Sequence, residues 1–424
     1  MLRRGCDNEA QVDRSVLIPP ILEVYVLWHP DDADGERIAN EVFDHFHGTT
    51  FAGLVGGAIE VYLRSIGWAG PGGPPRALPF VEPLPNGLAT PAITVVVPVL
   101  GTRLARAAED EPGWLAYLQT MMTAAAADPM VGIFGLRIDD AATAPGTNLA
   151  SIFSASQTLD SAGATNGSVL CRDLAHSIAG LVGDPMGGRL RVFISHTKRY
   201  SPDEEPDEVL RIVGLVRQVI GSTHLAAFFD EADLQPGADW ERELIAAASS
   251  SALLVVRTDL FASRDWCQRE VLTAKRADMP IVVLHALHQG EDRGSFLMDH
   301  VPTVPMRGTT DDEICAAIED ALNHLVDEAL KRALWNQQRA RLATYGFDWL
   351  PTNAPEPVTL LGWLAATERR ASADDRLFVL HPDPPLGYAE NAVINDLLSV
   401  AGLPGLVEIL TPRTFASRGG QVKP

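Results

Sequence analysis

The sequence predicts an α/β protein of doubly wound parallel sheets, and three observations lead there. Through the middle of the chain, short apolar runs alternate with segments of helical periodicity, the signature of strands joined by crossover helices. The same alternation occurs upstream and starts again downstream. At 424 residues, the chain exceeds one ordinary core and suits two or three domains.

In the middle unit, Arg191-Val-Phe-Ile-Ser195 reads as a buried strand. Val209, Ile212, Val213, Val216 and Ile220 recur at helical spacing, and Leu225–Phe229 is a second strand. A polar loop, Asp230–Gly237, leads to a helix that Asp239 can cap, beginning at Trp240. Leu253–Val256 is a third strand. Asp265 with Gln268 three residues on predicts a capping box for a helix over Trp266–Ala277. Pro280–Leu284 is a fourth strand, and Asp311–Leu330 a closing helix whose apolar periodicity continues to Arg341. Such sheets place ligands beyond the carboxyl ends of their strands.

Upstream, Val24–His29 echoes Arg191–His196, Ala92–Val97 echoes the third strand, and Val131–Gly135 the fourth. Trp114–Leu118 falls where Trp266–Glu270 does. Leu377–His381 makes a third start, and Phe415–Arg418 repeats Phe261–Arg264. Either the units are true repeats, or they share only the apolar strands common to α/β domains. The predicted division is a tail over 1–20, a first α/β unit over 21–185, the middle unit with its closing helix over 189–345, a linker with a short helix over 346–375, and a partial α/β unit over 376–424. The prolines of Pro351–Pro357 mark the linker. The last unit is short of strands, so it is either a docked appendage or the chain is an excerpt.

Composition narrows the partners. Lys and Arg number 34 against 55 Asp and Glu, a net charge of −21 that disfavours nucleic acid and anionic membranes. No apolar run approaches the roughly 20 residues of a membrane span, and the N-terminus lacks a signal-peptide core. Four scattered cysteines fit reduced thiols, so a cytoplasmic protein is expected. The close pairs His45/His47 and His285/His288 lack companions at zinc spacing, so no metal site is expected.

Three motifs in the middle unit, in order, resemble those of the TIR (Toll/interleukin-1 receptor) domain. Val192-Phe-Ile-Ser195 resembles the family's opening strand. Phe228-Phe-Asp230 with Asp233-Leu-Gln-Pro-Gly237 resembles its second strand and following loop. Ser263-Arg-Asp-Trp-Cys-Gln-Arg-Glu270 resembles the stretch carrying the essential glutamate in NAD-cleaving members. The resemblance spans about 120 residues, under a third of the chain. It implies a flavodoxin-like sheet, NAD cleavage with Glu270 as the catalytic carboxylate, dependence on self-association, and a role in immunity or antiviral defence. NAD would be substrate, with no cofactor. His196 stands where many members carry Tyr. On the same resemblance the first unit is a degenerate TIR-like domain, with Leu118 at the carboxylate's place.

The residue types suit that chemistry. Nicotinamide in NAD is already a cationic leaving group, so one carboxylate suffices where ordinary glycosidases use two. Trp266 and Glu270 are i and i+4 on one helix and share a face. Ser195, His196, Phe229, Asp230 and Asp233 leave the sheet on one edge and complete the expected substrate site. Against this, Trp266 equally suits the core beneath its helix, Ser195 and His196 suit a plain turn, and at least one of Phe228 and Phe229 belongs to the core. Trp240 reads as a packing residue. Asp230-Glu-Ala-Asp233 spells a helicase-type string, but the chain has no Gly-Lys dipeptide and so no P-loop of that kind. A TIR scaffold that signals by assembly alone is the competing reading, and a nucleoside-transferring or nucleotide-hydrolysing enzyme a third.

Overall fold

The apolar runs read as strands lie side by side in two large parallel sheets. The computed structural model describes residues 21–48, 50–51, 59–68, 70–81, 91–111, 113–153, 158–160, 167–183, 190–197, 206–223, 225–229, 245–291, 294–366 and 376–419. The first sheet holds β1 (Leu22–Leu27), β2 (Ile59–Arg64), β3 (Ile93–Leu100), β4 (Val131–Ile133), β5 (Gly135–Arg137) and β6 (Thr158–Asp160). Its order is β2-β1-β3-β5-β6, with β4 also on β3. Only Phe134 separates β4 from β5, so the two act as one interrupted strand. The second sheet holds β7 (Arg191–Ser195), β8 (Ala226–Phe229), β9 (Ala252–Arg257), β10 (Ile281–His285) and β11 (Thr303–Pro305) in the order β8-β7-β9-β10-β11. Both orders are those of flavodoxin-like doubly wound sheets, and every pairing is parallel.

Helices cover both faces of each sheet. In the first unit these are α1 (Ala33–His47), α2 (Thr102–Asp110), α3 (Trp114–Ala127), α4 (Asn148–Phe153) and α5 (Gly167–Gly183). In the second they include α6 (Pro206–Gly221), α7 (Asp265–Arg276) and α8 (Asp311–Leu342). α8 is one helix of 32 residues, where the sequence read a closing helix and its continuation. Thr310 and Glu313 form a capping box at its start, and acidic residues in the first turn and basic ones in the last complement its dipole.

The two units share a core. Val24, Val95 and Ile178 of the first belong to the same buried apolar cluster as Ile194, Leu254 and Leu325 of the second. α5 and α8, the helices that close the two sheets, pack directly on each other. Polar links cross this seam. Arg172, 2% exposed, pairs with Glu319, and His45 Nε2 lies 3.1 Å from the buried Asp327 carboxylate. Gln337 donates to the Val182 carbonyl at 3.0 Å. His45, considered in the sequence only as half of a metal-like pair, thus serves the seam.

The capping box expected at the start of α7 needs correction. Asp265 is the first residue of α7 and not its cap; Arg264 holds the cap position with no side-chain hydrogen bond. Gln268 accordingly turns away from any capping box and donates its amide to the Ala262 carbonyl. β11 went unread, because three residues that follow one proline and end on another carry no periodic signal. The helix expected from Trp240 begins outside the described residues.

Downstream, α9 (Pro357–Ala366), β12 (Leu377–Leu380), α10 (Tyr388–Val400), β13 (Val407–Leu410) and α11 (Pro412–Ser417) form a small parallel two-stranded unit. It docks on the end of α8, where Trp335 and Leu342 join Phe378, Leu380, Leu410 and Phe415 in one cluster. The segment read as a linker is built in: Thr352 is 5% exposed and donates to Asp278 at 2.8 Å. Phe261-Ala-Ser263 is a 3-10 turn after the third strand of its unit, whereas Phe415-Ala-Ser417 lies in α11 after β13. The repeated tetrapeptide therefore does not occupy equivalent places, although both phenylalanines are buried. No helix among the described residues is long and apolar enough to cross a membrane.

Candidate functional site

The carboxyl edge of the second sheet is where β7 and β9 end side by side. Ser195 closes β7 opposite Val255, and its side chain is 1% exposed. Thr197 and Thr258, each just beyond a neighbouring strand, are buried and joined through their hydroxyls at 3.1 Å. That bond ties the two strand exits together. Neither threonine was singled out in the sequence, although two threonines just past adjacent parallel strands are a signal once strand order is known.

α7 starts after the 3-10 turn that follows β9, and it lays its third residue, Cys267, into the core with Val271 and Ala274. The Cys267 thiol donates to the His196 carbonyl at 3.8 Å, which pins the helix start against the exit of β7. One turn further, Glu270 points to the same exit: the Ser195 hydroxyl donates to its carboxylate. Residues 75 apart in sequence are thus joined at the tip of a central strand. Burial raises the Cys267 thiol to about 12, with the negative charge of Glu270 adding to the effect. The thiol is therefore protonated at physiological pH and not a nucleophile.

Trp266 is half-buried and lies outside the core cluster beneath the sheet, so it does not fill the core; Phe261, Cys267 and Val271 do. The Arg269 guanidinium stacks over its indole, 4.9 Å from the ring centroid. Trp266 and Glu270 are both partly accessible on the same helix. His196 is half-buried, and its Nδ1 lies 3.1 Å from the Thr197 carbonyl. The loop after β10 is held from the same edge: Asp259 accepts from the backbone N–H groups of His288, Gln289 and Gly290 at 2.9, 3.0 and 3.2 Å.

Of the predicted site, Ser195 and Glu270 are joined at this edge, His196 meets the start of the same helix through its carbonyl, and Trp266 lies one turn before Glu270 on that helix. Phe229 ends β8 with its backbone opposite Phe193, two residues short of Ser195 on the adjacent strand. Asp230 and Asp233, with the remainder of their loop and Trp240, lie outside the described residues. Among the described residues, no group of three or more side chains could hold a metal ion.

The first unit fills the corresponding edge differently. There α2 follows β3, and the next helix, α3, begins at Trp114, fully buried, whose indole N–H donates to the Gly72 carbonyl at 2.9 Å. Leu118, one turn on, is also fully buried. Past β1, Asp32 caps α1 by accepting from Gly35 at 3.0 Å and crowds Gly101, where a Cβ would lie 2.2 Å from its carboxylate. The exit between β1 and β3 is thereby closed.

No family model matches this chain, and no curated protein matches it. Among solved structures, tagatose-6-phosphate ketose/aldose isomerase from Escherichia coli aligns over 74% of this chain and 83% of that one, at 10% identity and a TM-score of 0.19. At that score the likeness carries no argument about fold or chemistry.

Proposed function

We propose that the middle unit cleaves the N-glycosidic bond of NAD, with Glu270 as the carboxylate that serves the ribose. Nicotinamide leaves with the bonding electron pair, while water, or a group of the same molecule, forms the new bond to the ribose carbon to give ADP-ribose or a cyclic isomer. The observation that supports this reading is the Ser195–Glu270 hydrogen bond at the carboxyl end of β7. It sets a partly accessible acid at the edge of a doubly wound sheet where ligands bind. In this reading Glu270 accepts hydrogen bonds from the ribose hydroxyls and stabilises the positive charge that grows on the sugar as the pyridinium departs. Nicotinamide needs no proton to leave, so the reaction asks for no second acid. Ser195 positions the carboxylate, and Trp266, on the same helix face, supplies a flat surface for a ring. The protein would act in the cytoplasm, after self-association, as an effector of immunity or antiviral defence. The first unit, with Leu118 in place of the glutamate, would support assembly or control and not cleavage.

The test is release of nicotinamide from NAD across a range of protein concentrations, with wild type beside Glu270→Gln. Turnover that rises with concentration and falls about a hundred- to a thousandfold in the variant, with melting unchanged, is expected. Equal turnover in the variant defeats the assignment of Glu270. Absence of turnover in the wild type at every concentration favours a scaffold that signals by assembly alone.

A further inference from the structure

The first sheet ends on β2, which pairs with β1 on one side and, among the described residues, with nothing on the other. At 6 residues it is the longest strand with an open edge there, against 3 for β6 and β11 and 4 for β8 and β13. It holds no proline, one of the usual blocks on edge-to-edge pairing. The Trp28 N–H donates to the Arg64 carbonyl at 3.2 Å, so Arg64 turns its backbone groups toward β1. Residues of a strand alternate, so Glu60 and Tyr62 do the same, while Ile59, Val61 and Leu63 direct N–H and C=O outward. The outward Leu63 carbonyl accepts from Arg64 Nη1 at 3.4 Å, a long bond from the neighbouring side chain. Ile66 and Trp68, immediately after β2, are 83% and 71% exposed and add apolar surface to be covered.

The order of residues makes this edge complementary to itself. Turned antiparallel about Tyr62, a second copy sets Val61 opposite the partner's Leu63, and these outward-facing residues can exchange backbone hydrogen bonds. Glu60 then falls opposite the partner's Arg64, and Arg64 opposite the partner's Glu60. Both charge pairs occupy the non-hydrogen-bonded positions, where side chains come closest. Opposite charges so placed stabilise a sheet and like charges destabilise it. A shift of two residues loses both pairs, and a shift of four sets Glu60 against Glu60 or Arg64 against Arg64. Within one chain Glu60 stands in register with another acid, Glu23 of β1, and among the described residues neither of them, nor Arg64, has an ion pair. The Arg64 guanidinium instead lies over the Tyr25 and Tyr62 rings, 5.3 and 5.4 Å from their centroids. We propose that two copies of this chain pair through β2, antiparallel about Tyr62, and join their first sheets into one. The pairing goes beyond the NAD reading and does not require it, because it rests on an edge of the first unit that holds no part of the Glu270 site.

The test is sedimentation of the full chain at rising concentration, with melting recorded for every variant. Wild type should dimerise. Glu60→Arg opposes two arginines and Arg64→Glu opposes two acids, so each alone should dimerise about tenfold or more weakly. Mixed in equal amounts, the two variants restore both charge pairs, and a heterodimer should form about as tightly as the wild-type dimer. Tyr62→Cys should cross-link to its own copy on mild oxidation, because that pair lies about 4.5 Å apart at Cα. Glu60→Cys, about 14 Å from its own copy, should not. The proposal is overturned if wild type stays monomeric up to millimolar concentration, or if folded Glu60→Arg associates as wild type does. It is equally overturned if the two charge variants, both folded, fail to pair when mixed. Should Arg64→Glu not fold, the cross-links decide: bridging at Tyr62→Cys alone upholds the pairing, and bridging at neither position or equally at both overturns it. NAD turnover enters none of these measurements and stands or falls separately.

Discussion

The two large units share a strand order, yet α3 of the first and α7 of the second, each lying between the third and fourth strands, leave the carboxyl edge in opposite states. In the first unit the helix begins with Trp114 and carries Leu118 one turn later, both fully buried. In the second, α7 carries Trp266 and, one turn later, Glu270, both partly accessible, the acid joined to Ser195. One unit therefore closes its edge, with buried Asp32 as well as Trp114 and Leu118, and the other leaves a partly accessible acid there. A doubly wound sheet supplies a place for chemistry, and the residues on one helical turn decide whether chemistry is available there.

That contrast is most directly broken by truncating the two tryptophans in the full chain. Trp114→Ala removes a buried indole along with its bond to Gly72 and should cost about 3–5 kcal/mol in chemical denaturation. Trp266→Ala removes a half-buried ring under the Arg269 guanidinium, and about 1 kcal/mol is expected. It should instead impair NAD cleavage. Equal losses of stability would mean that Trp266 is structural after all, and that the two edges are alike.

Ser195 gives a smaller and sharper effect. It is buried at a strand end, so Ser195→Ala leaves the sheet intact while freeing the Glu270 carboxylate to rotate. If Ser195 positions that carboxylate, kcat should fall about tenfold, the scale of one hydrogen bond to a charged group, with KM little changed. Ser195→Thr, which keeps a hydroxyl, should recover most of the rate. A serine that merely finished the strand would leave kcat untouched.

Much of this frame was legible before any coordinates. β7 and β9 stand within a residue of the apolar runs Arg191–Ser195 and Leu253–Val256, because a strand buried on both faces must be apolar throughout. The repeat was legible as well, since Val24–His29 and Val131–Gly135 fall on strands of the same rank as their echoes. What escaped was set by tertiary context. The capping box at Asp265 failed because Arg264 already has the extended cap geometry, leaving Gln268 to find Ala262. The seam between units is crossed by Arg172–Glu319 and His45–Asp327, polar residues that a sequence assigns to solvent. The Ser195–Glu270 bond was foreseen only as a shared edge, because two side chains 75 residues apart acquire a distance only once the sheet is assembled.

The finest test of the comparison uses one thiol from each unit. Cys171 in α5 and Cys267 in α7 are both buried, each donating to a backbone carbonyl at 3.8 Å. Burial raises both to about 12, and in each case a nearby acid adds to it: Glu41 and then Asp327 for Cys171, Glu270 for Cys267. A thiol raised in the folded state favours folding below its ordinary value of 9.0, and that contribution is lost as pH climbs through 9 toward about 12. At pH 8 a pKa of about 12 leaves roughly one thiolate in ten thousand, so native protein should resist alkylation at both positions. Glu270→Gln removes one negative charge beside Cys267 and none beside Cys171. The thiolate of Cys267 should then form at lower pH and react faster in mass-spectrometric alkylation, while Cys171 keeps its rate. Unchanged labelling at Cys267 would show that the Glu270 carboxylate carries no charge near that helix turn, which would remove the electrostatic basis of the edge that distinguishes the second unit from the first.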